Sequence, residues 1–161
     1  MAFVPENHIM PTYDFEGKVA FVTGGARGQG RSHAVQYAKH GADVVVTDIC
    51  ADIETNPYEL GTSDELEETA DLIEDEGQDA LAIEMDVREE TEVEAAVAEA
   101  IEEFGQIDIL ANNAGIFNAA ELVEMDEQMW DEMIDTNLKG VWLCSKHVGK
   151  HFVDHGHGGK I

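Results

Sequence analysis

The segment Thr23-Gly24-Gly25-Ala26-Arg27-Gly28-Gln29-Gly30 limits what this chain can fold into more than any other. It follows an apolar run over 18–23 and opens a helical pattern over about 30–40, which Gly41 stops. An apolar run that does not alternate reads as a strand covered on both faces. A strand that leads through a glycine turn directly into a helix begins a unit whose next strand is parallel to the first.

The alternation continues along the chain. Residues 43–48, 80–85 and 107–111 read as further strands. Leu66, Thr69, Ala70 and Ile73 share a helix face that Gly77 ends, and Val93, Ala96, Val97, Ala100, Ile101 and Phe104 form a stripe that Gly105 ends. Trp130, Met133, Ile134, Asn137, Val141, Cys144, Val148 and Phe152 fall on one face of a long helix, and Lys160-Ile161 begins another strand. The expected architecture is α/β: a doubly wound parallel sheet in three α/β/α layers, Rossmann-type, stopping before a fifth strand. Residues 49–63 break the rule of short connections and form a true loop, with Asn56-Pro57 and Gly61.

Composition narrows the function classes. With 161 residues, 43% hydrophobic and 27% charged, the chain is a globular domain and not a disordered tail. Nine Lys+Arg against 35 Asp+Glu leave a net charge of −26, and between residues 41 and 137 the only basic side chain is Arg88. Nucleic acid and anionic membrane are therefore excluded as partners. The acids fall on the polar sides of striped helices and read as a solvated face; an acidic protein-binding face and adaptation to a salt-rich, halophilic cytoplasm are the alternatives. No apolar run approaches the length of a membrane span, and no basic segment precedes an apolar one near the start. Two cysteines, Cys50 and Cys144, make no disulfide framework, so a cytoplasmic location is expected.

A helix start presents free N–H groups and a partial positive charge, and glycines let an anion approach the backbone. Gly24, Gly25, Ala26, Arg27, Gly28, Gln29 and Gly30 are therefore candidate binders of a dinucleotide diphosphate. Asp48, at the end of the second strand, can accept from both ribose hydroxyls and repels a 2′-phosphate, which favours NAD. Arg27 argues the other way and keeps NADP as the lesser alternative.

Four motifs in this order resemble the short-chain dehydrogenase/reductase family: Thr23-Gly24 with Gly28 and Gly30, Asp86-Val87, Asn112-Asn113-Ala114-Gly115, and Asn137. The resemblance runs from Gly17 onward. It implies that 17–161 is an NAD(P)-binding Rossmann domain, incomplete at its C-terminus, behind an N-terminal extension over 1–16. It implies that Asp86 and Val87 flank the adenine ring, and that Asn113, Ala114 and Gly115 touch the cofactor. Asn137 takes the place of the catalytic asparagine, whose backbone carbonyl at a helix kink holds a water of the proton relay. The implied reaction is hydride transfer between a secondary alcohol and a ketone, in a homotetramer built partly on the long helix. Gly28-Gln29-Gly30-Arg31-Ser32-His33-Ala34 and the long loop after Asp48 also resemble the mycofactocin-coupled, carveol-dehydrogenase-like branch, whose inserted loop covers the adenosine end and holds NAD tightly.

One departure matters. The family's serine, tyrosine and lysine are absent: none of Tyr13, Tyr37 and Tyr58 stands four residues before a lysine. The 161 residues alone are therefore expected to be inactive. A non-catalytic dinucleotide-binding module or subunit is the alternative, and an acidic interaction protein without cofactor is a third.

Weaker signals remain. His147, His151 and His155 share a helix face, with His157 beyond; they read as partly exposed imidazoles at a helix end, and no metal site is expected. Met125, Met129 and Met133 with Trp130 read as core and interface packing. Arg31 and His33, at the start of the first helix, are placed to reach a phosphate.

Overall fold

Four strands, β1 (Val19–Thr23), β2 (Asp43–Asp48), β3 (Ala80–Glu84) and β4 (Ile109–Ala111), form one parallel sheet in the order β3-β2-β1-β4. This is a computed structural model, and it describes residues 13–161. Residues 1–12 of the expected N-terminal extension lie outside the described residues.

The doubly wound expectation holds. Strand residues alternate between two apolar layers because successive side chains point to opposite faces. Phe21 and Val45 pack with Val93, Val97, Leu143 and Val148 on one face. Val22, Val44 and Val46 pack with Ala34, Ala38, Leu66 and Ile73 on the other. Each fully covered Val, Leu, Ile or Phe contributes about 1.5–3 kcal/mol, so the central strands β1 and β2, buried almost throughout, anchor the domain.

The helices α1 (Gly28–Lys39), α2 (Ser63–Glu74) and α3 (Glu90–Phe104) start and stop for local reasons. Thr62 opens α2 with a capping box: its Oγ1 accepts the Glu65 N–H at 3.2 Å, and Glu65 Oε2 accepts the Thr62 N–H at 3.1 Å. Gly105 ends α3 at φ 77°, a left-handed conformation that costs glycine little.

Two expectations are corrected. The single long helix is three segments in succession: α4 (Glu127–Ile134), a π-helical turn (Asp135–Gly140) and α5 (Val141–His155). The wider turn holds an extra residue and rotates one half of the stripe against the other. Leu143, Cys144, Val148 and Phe152 are buried, whereas Trp130, Ile134, Leu138 and Trp142 lie on the surface. The core reading of Trp130 therefore fails. The expectation for the chain end holds: Lys160 forms one parallel bridge to Ile109, with Leu110 donating to the Lys160 carbonyl at 2.9 Å, on the outer edge of β4.

Candidate functional site

Strand order reverses beside β1: β2 lies on one side and β4 on the other, and a crevice of about 320 Å³ opens at the C-terminal ends of the strands. Ligands of open α/β sheets bind at such a switch point.

The glycine turn forms its floor. Gly24 has φ 69°, and a Cβ there would lie 2.8 Å from Ala114 Cα. Gly25 donates to the Thr47 carbonyl at 2.8 Å, and a Cβ would lie 2.0 Å from Val46 Cγ2. Only glycine lets the turn lie this close to β2 and the loop after β4. Among the candidates of this segment, Gly24, Arg27 and Gln29 line the crevice. Gly25, Ala26 and Gly30 do not line it; they are buried beneath, where they set its shape. Gly28 is exposed, at φ 60°, with open space where a Cβ would be. It begins α1, which among the described residues has no side-chain cap and no acid in its first turn, so its N–H groups are free for an anion.

Asp48 stands beside this turn. Its Oδ2 accepts the Ala26 N–H at 3.0 Å, and it lines the crevice. Gly61 packs on the same carboxylate, where a Cβ would lie 3.1 Å from Oδ1. Asp86 and Val87 line the crevice beyond β3. The Asp86 carboxylate is held by Arg88, which donates from Nη2 at 2.6 Å and from Nε at 2.9 and 3.0 Å. Across the sheet, Asn113 Nδ2 donates to the carbonyls of Thr23 at 2.9 Å and Gly24 at 3.0 Å. Thr23 Oγ1 accepts the N–H groups of Asn113 at 3.1 Å and Ala114 at 3.0 Å. These four bonds join the ends of β1 and β4, and Asn113, Ala114 and Gly115 complete that wall.

Asn137 lies on the π-helical turn but does not line the crevice. Its amide clamps one residue of the loop after β4: Nδ2 donates to the Ile116 carbonyl at 2.8 Å, and Oδ1 accepts the Ile116 N–H at 2.9 Å. Thr136, its neighbour, does line the crevice.

The long loop supplies a third wall. Ile49, Ile53, Tyr58, Leu60 and Gly61 face the crevice. Tyr58 Oη accepts the Phe117 N–H at 3.0 Å, and Asn118 Nδ2 donates to the Thr55 carbonyl at 2.6 Å and Oγ1 at 2.9 Å. On the other side, the Arg27 guanidinium donates to the Glu59 carbonyl. The loop is thus tied to both lips of the crevice. In this loop the sequence singled out Asn56-Pro57 and Gly61 and did not point to Ile53 or Thr55, nor to Asn118 and Thr136 across the crevice. An asparagine just past the Asn113-Ala114-Gly115 segment was the one available signal. At the loop's entrance Cys50 takes φ 52°, rare for a side-chain-bearing residue. Burial, then the Asp48 and Glu84 carboxylates, push its thiol up to about 11.

Three side chains do not stand where the sequence suggested. Arg31 turns away from the crevice: it donates to the Ala26 and Glu65 carbonyls and pairs with Glu68 at 2.7 Å, tying α1 to α2. His33 lies in a separate aromatic groove with Tyr13, Phe15 and Tyr37. His151 is buried, not partly exposed, and its Nε2 accepts the Ile107 N–H at 3.1 Å. Among the described residues no group of three or more His, Cys, Asp or Glu is arranged to hold a metal, and no helix is long and apolar enough to cross a membrane.

The residues present fit a dinucleotide. The turn leaves open space at Gly28 next to an uncapped helix start, and a carboxylate stands one strand away.

A (-)-trans-carveol dehydrogenase of Rhodococcus erythropolis is 43% identical over 147 residues, which are 91% of this chain and 53% of that protein. An NAD-dependent oxidoreductase of Mycobacterium tuberculosis is 43% identical over 146 residues, 90% of this chain and 53% of that one. The crystal structure of a carveol dehydrogenase from Mycobacterium avium in complex with NAD matches with TM-score 0.86 and 42% identity, over 89% of this chain and 52% of that one. The chain thus spans about half the length of the relatives it matches. The family model described as short chain dehydrogenase matches residues 18–161, and this chain belongs to that family.

Proposed function

We propose that residues 17–161 form the NAD-binding half of an oxidoreductase that interconverts a secondary alcohol and a ketone. The observation that carries the reading is the 3.0 Å bond from the Ala26 N–H to Asp48 Oδ2, which fixes a carboxylate beside a glycine turn and an uncapped helix start. That pairing suits a diphosphate on α1 and a ribose diol on Asp48, and a 2′-phosphate would meet the Asp48 charge. The engagement of Arg27 with the Glu59 carbonyl also favours NAD over NADP. The relatives described as NAD-dependent or solved with NAD support this cofactor.

NAD, when bound, supplies the hydride acceptor. The chain's own residues position it. Gly24, Arg27, Gln29 and the start of α1 hold the diphosphate, Asp48 the ribose, and Asp86, Val87, Asn113, Ala114 and Gly115 the flanks. Asn137 fixes the loop after β4 through Ile116 and offers its backbone carbonyl, in the π-helical turn, to a proton-relay water. The loop over 49–63 covers the adenosine end and slows release. A homo-oligomer is supported by the surface row Trp130, Ile134, Leu138 and Trp142, whose members are 57%, 37%, 64% and 56% exposed.

For the 161 residues by themselves, a dinucleotide-binding module without turnover is the second reading, because no tyrosine here stands four before a lysine. Titration with NADH, read by its fluorescence, tests both. Binding is expected, Asp48→Ala should weaken it about tenfold while narrowing the preference over NADPH, and no secondary alcohol should reduce NAD. A chain that leaves NADH fluorescence unchanged overturns the proposal.

A further inference from the structure

A closed ring of hydrogen bonds runs beside the crevice. Glu132, on α4, accepts the Thr55 hydroxyl at Oε2. Thr55, in the loop over 49–63, accepts from Asn118 Nδ2 at its carbonyl (2.6 Å) and at its Oγ1 (2.9 Å). Asn118 stands just beyond Ile116 in the loop after β4, and the Asn137 amide holds the Ile116 N–H at 2.9 Å and the Ile116 carbonyl at 2.8 Å. Asn137 belongs to the π-helical turn that continues α4, so the path returns to Glu132. A second bond, from Gln128 Nε2 to Glu54 Oε2 at 3.3 Å, joins the same loop to the same helix.

A ligand in the crevice bears on this ring. Ile53 and Tyr58, on either side of Thr55 in the loop, both line the crevice, and Tyr58 Oη accepts the Phe117 N–H at 3.0 Å. Hydrogen bonds weaken steeply once stretched or bent. Thr55 therefore cannot leave the crevice without loosening its bonds to Glu132 and Asn118 together. Asn118 and Ile116 are both buried, and a shift of the first pulls on the clamp that Asn137 makes on the second. Contiguous hydrogen-bond networks of this kind carry energetic coupling between sites.

We propose that Thr55 and Glu132 are positioning residues for Asn137: the loop that covers the dinucleotide sets, through Asn118 and Ile116, where the π-helical turn stands. A closed loop then holds the Asn137 carbonyl in its place for the proton relay, and by reciprocity a held Asn137 keeps the loop closed. The inference rests on the dinucleotide reading above.

The test is hydrogen exchange of the Ile116 N–H, which Asn137 Oδ1 accepts, followed by NMR on the 161-residue chain with and without saturating NADH. NADH should slow that exchange about 5–50-fold. Thr55→Val keeps the shape and removes the hydroxyl, and Glu132→Ala removes the acceptor of that hydroxyl from α4. In each variant, saturated with NADH, the slowing should shrink below about threefold, while exchange of the Val45 N–H in the core strand β2 stays as in the parent. Thr55→Ser should restore the parent's response. If Thr55→Val fails to fold, Glu132→Ala alone decides. A parent that binds NADH without slowing Ile116 overturns the inference and leaves the dinucleotide reading standing. So does a parent-like slowing in either Thr55→Val or Glu132→Ala, or an equal change at Val45, which would make the effect global. A loss in Thr55→Ser as large as in Thr55→Val overturns it too, because the hydroxyl is then not the link. A chain that does not bind NADH overturns both readings.

Discussion

Gly30 lies so close beneath Gly24 that a Cβ on it would stand 2.0 Å from the Gly24 carbonyl oxygen and 2.7 Å from Asn113 Nδ2. The same Asn113 nitrogen donates to that carbonyl at 3.0 Å. One missing methyl group therefore lets α1, the glycine turn and the loop after β4 meet at a point. Gly30→Ala must push the helix off the turn and break the Asn113 bond. Overpacking of this kind costs about 1–3 kcal/mol. The variant should melt several degrees lower and lose NADH binding, as read by thermal unfolding and fluorescence titration. An alanine variant that binds like the parent would show that the turn does not hold the ligand.

The loop's ties lead to a kinetic prediction. Asn118 is buried and joins the Thr55 carbonyl and hydroxyl across the mouth of the crevice. Asn118→Ala leaves that carbonyl unanswered and frees one end of the loop. Two neutral hydrogen bonds at about 0.5–1.5 kcal/mol each set the scale. NADH should dissociate roughly 5–50-fold faster in stopped flow, with a smaller change in the association rate. Unchanged dissociation would mean that the loop does not gate the exit.

What the sequence disclosed follows from what spacing encodes. The glycine turn and Asp48 were legible because each lies at the end of a strand, where chain order alone decides which residues meet. The Asn118–Thr55 tie joins residues 63 apart and comes from two loops, whose path no periodicity reports. The π-helical turn was invisible for another reason. Asp135-Thr136-Asn137-Leu138-Lys139-Gly140 carries no helix breaker before Gly140, so the apolar row continued through it on paper. In the fold, the wider turn leaves Trp130 and Ile134 outside while Cys144 and Val148 go in. The histidines misled because a polar residue at helix spacing reads as surface, whereas the Ile107 N–H gives His151 a reason to be buried.

That bond makes the stability sensitive to acid. His151 Nε2 accepts from Ile107, so a proton there would set two donors face to face. The rings of His155 and His157 lie 4.2 and 5.5 Å away and oppose a second charge, while Asp108 and Asp154 favour it less strongly. Burial comes first among the causes, and the net effect holds His151 below its ordinary value of 6.5. The unfolded chain then binds the proton first as pH falls. Stability contributed by neutral His151 is complete above about pH 6.5 and is lost below it, by at most about 1.4 kcal/mol per pH unit. Urea unfolding at pH 7.5 and 5.5 should reveal this loss in the parent and a smaller one in His151→Gln. Equal losses in the two proteins would assign the acid sensitivity to the carboxylates alone.

The charge of −26 carries the last expectation. On α2 the acids Glu67, Glu68, Asp71 and Glu74 are exposed while Leu66, Thr69, Ala70 and Ile73 are buried, and on α3 Glu94, Glu99, Glu102 and Glu103 repeat the pattern. These are solvated faces, and with Arg88 the only Lys or Arg from residue 41 to 137 and outside both helices, none of these acids has a partner of opposite sign on its own helix. Self-repulsion among them opposes the compact state, and its reach falls from about 10 Å at 0.1 M salt to about 3 Å at 1 M. Raising KCl from 0.1 to 1 M should therefore raise the melting temperature by roughly 3–8 °C, equivalent to about 1–2 kcal/mol at this size. Equimolar replacement of KCl by a neutral osmolyte should not reproduce the rise. A melting temperature flat across that salt range would remove the case for adaptation to a salt-rich interior and leave the acids as solubilising surface only.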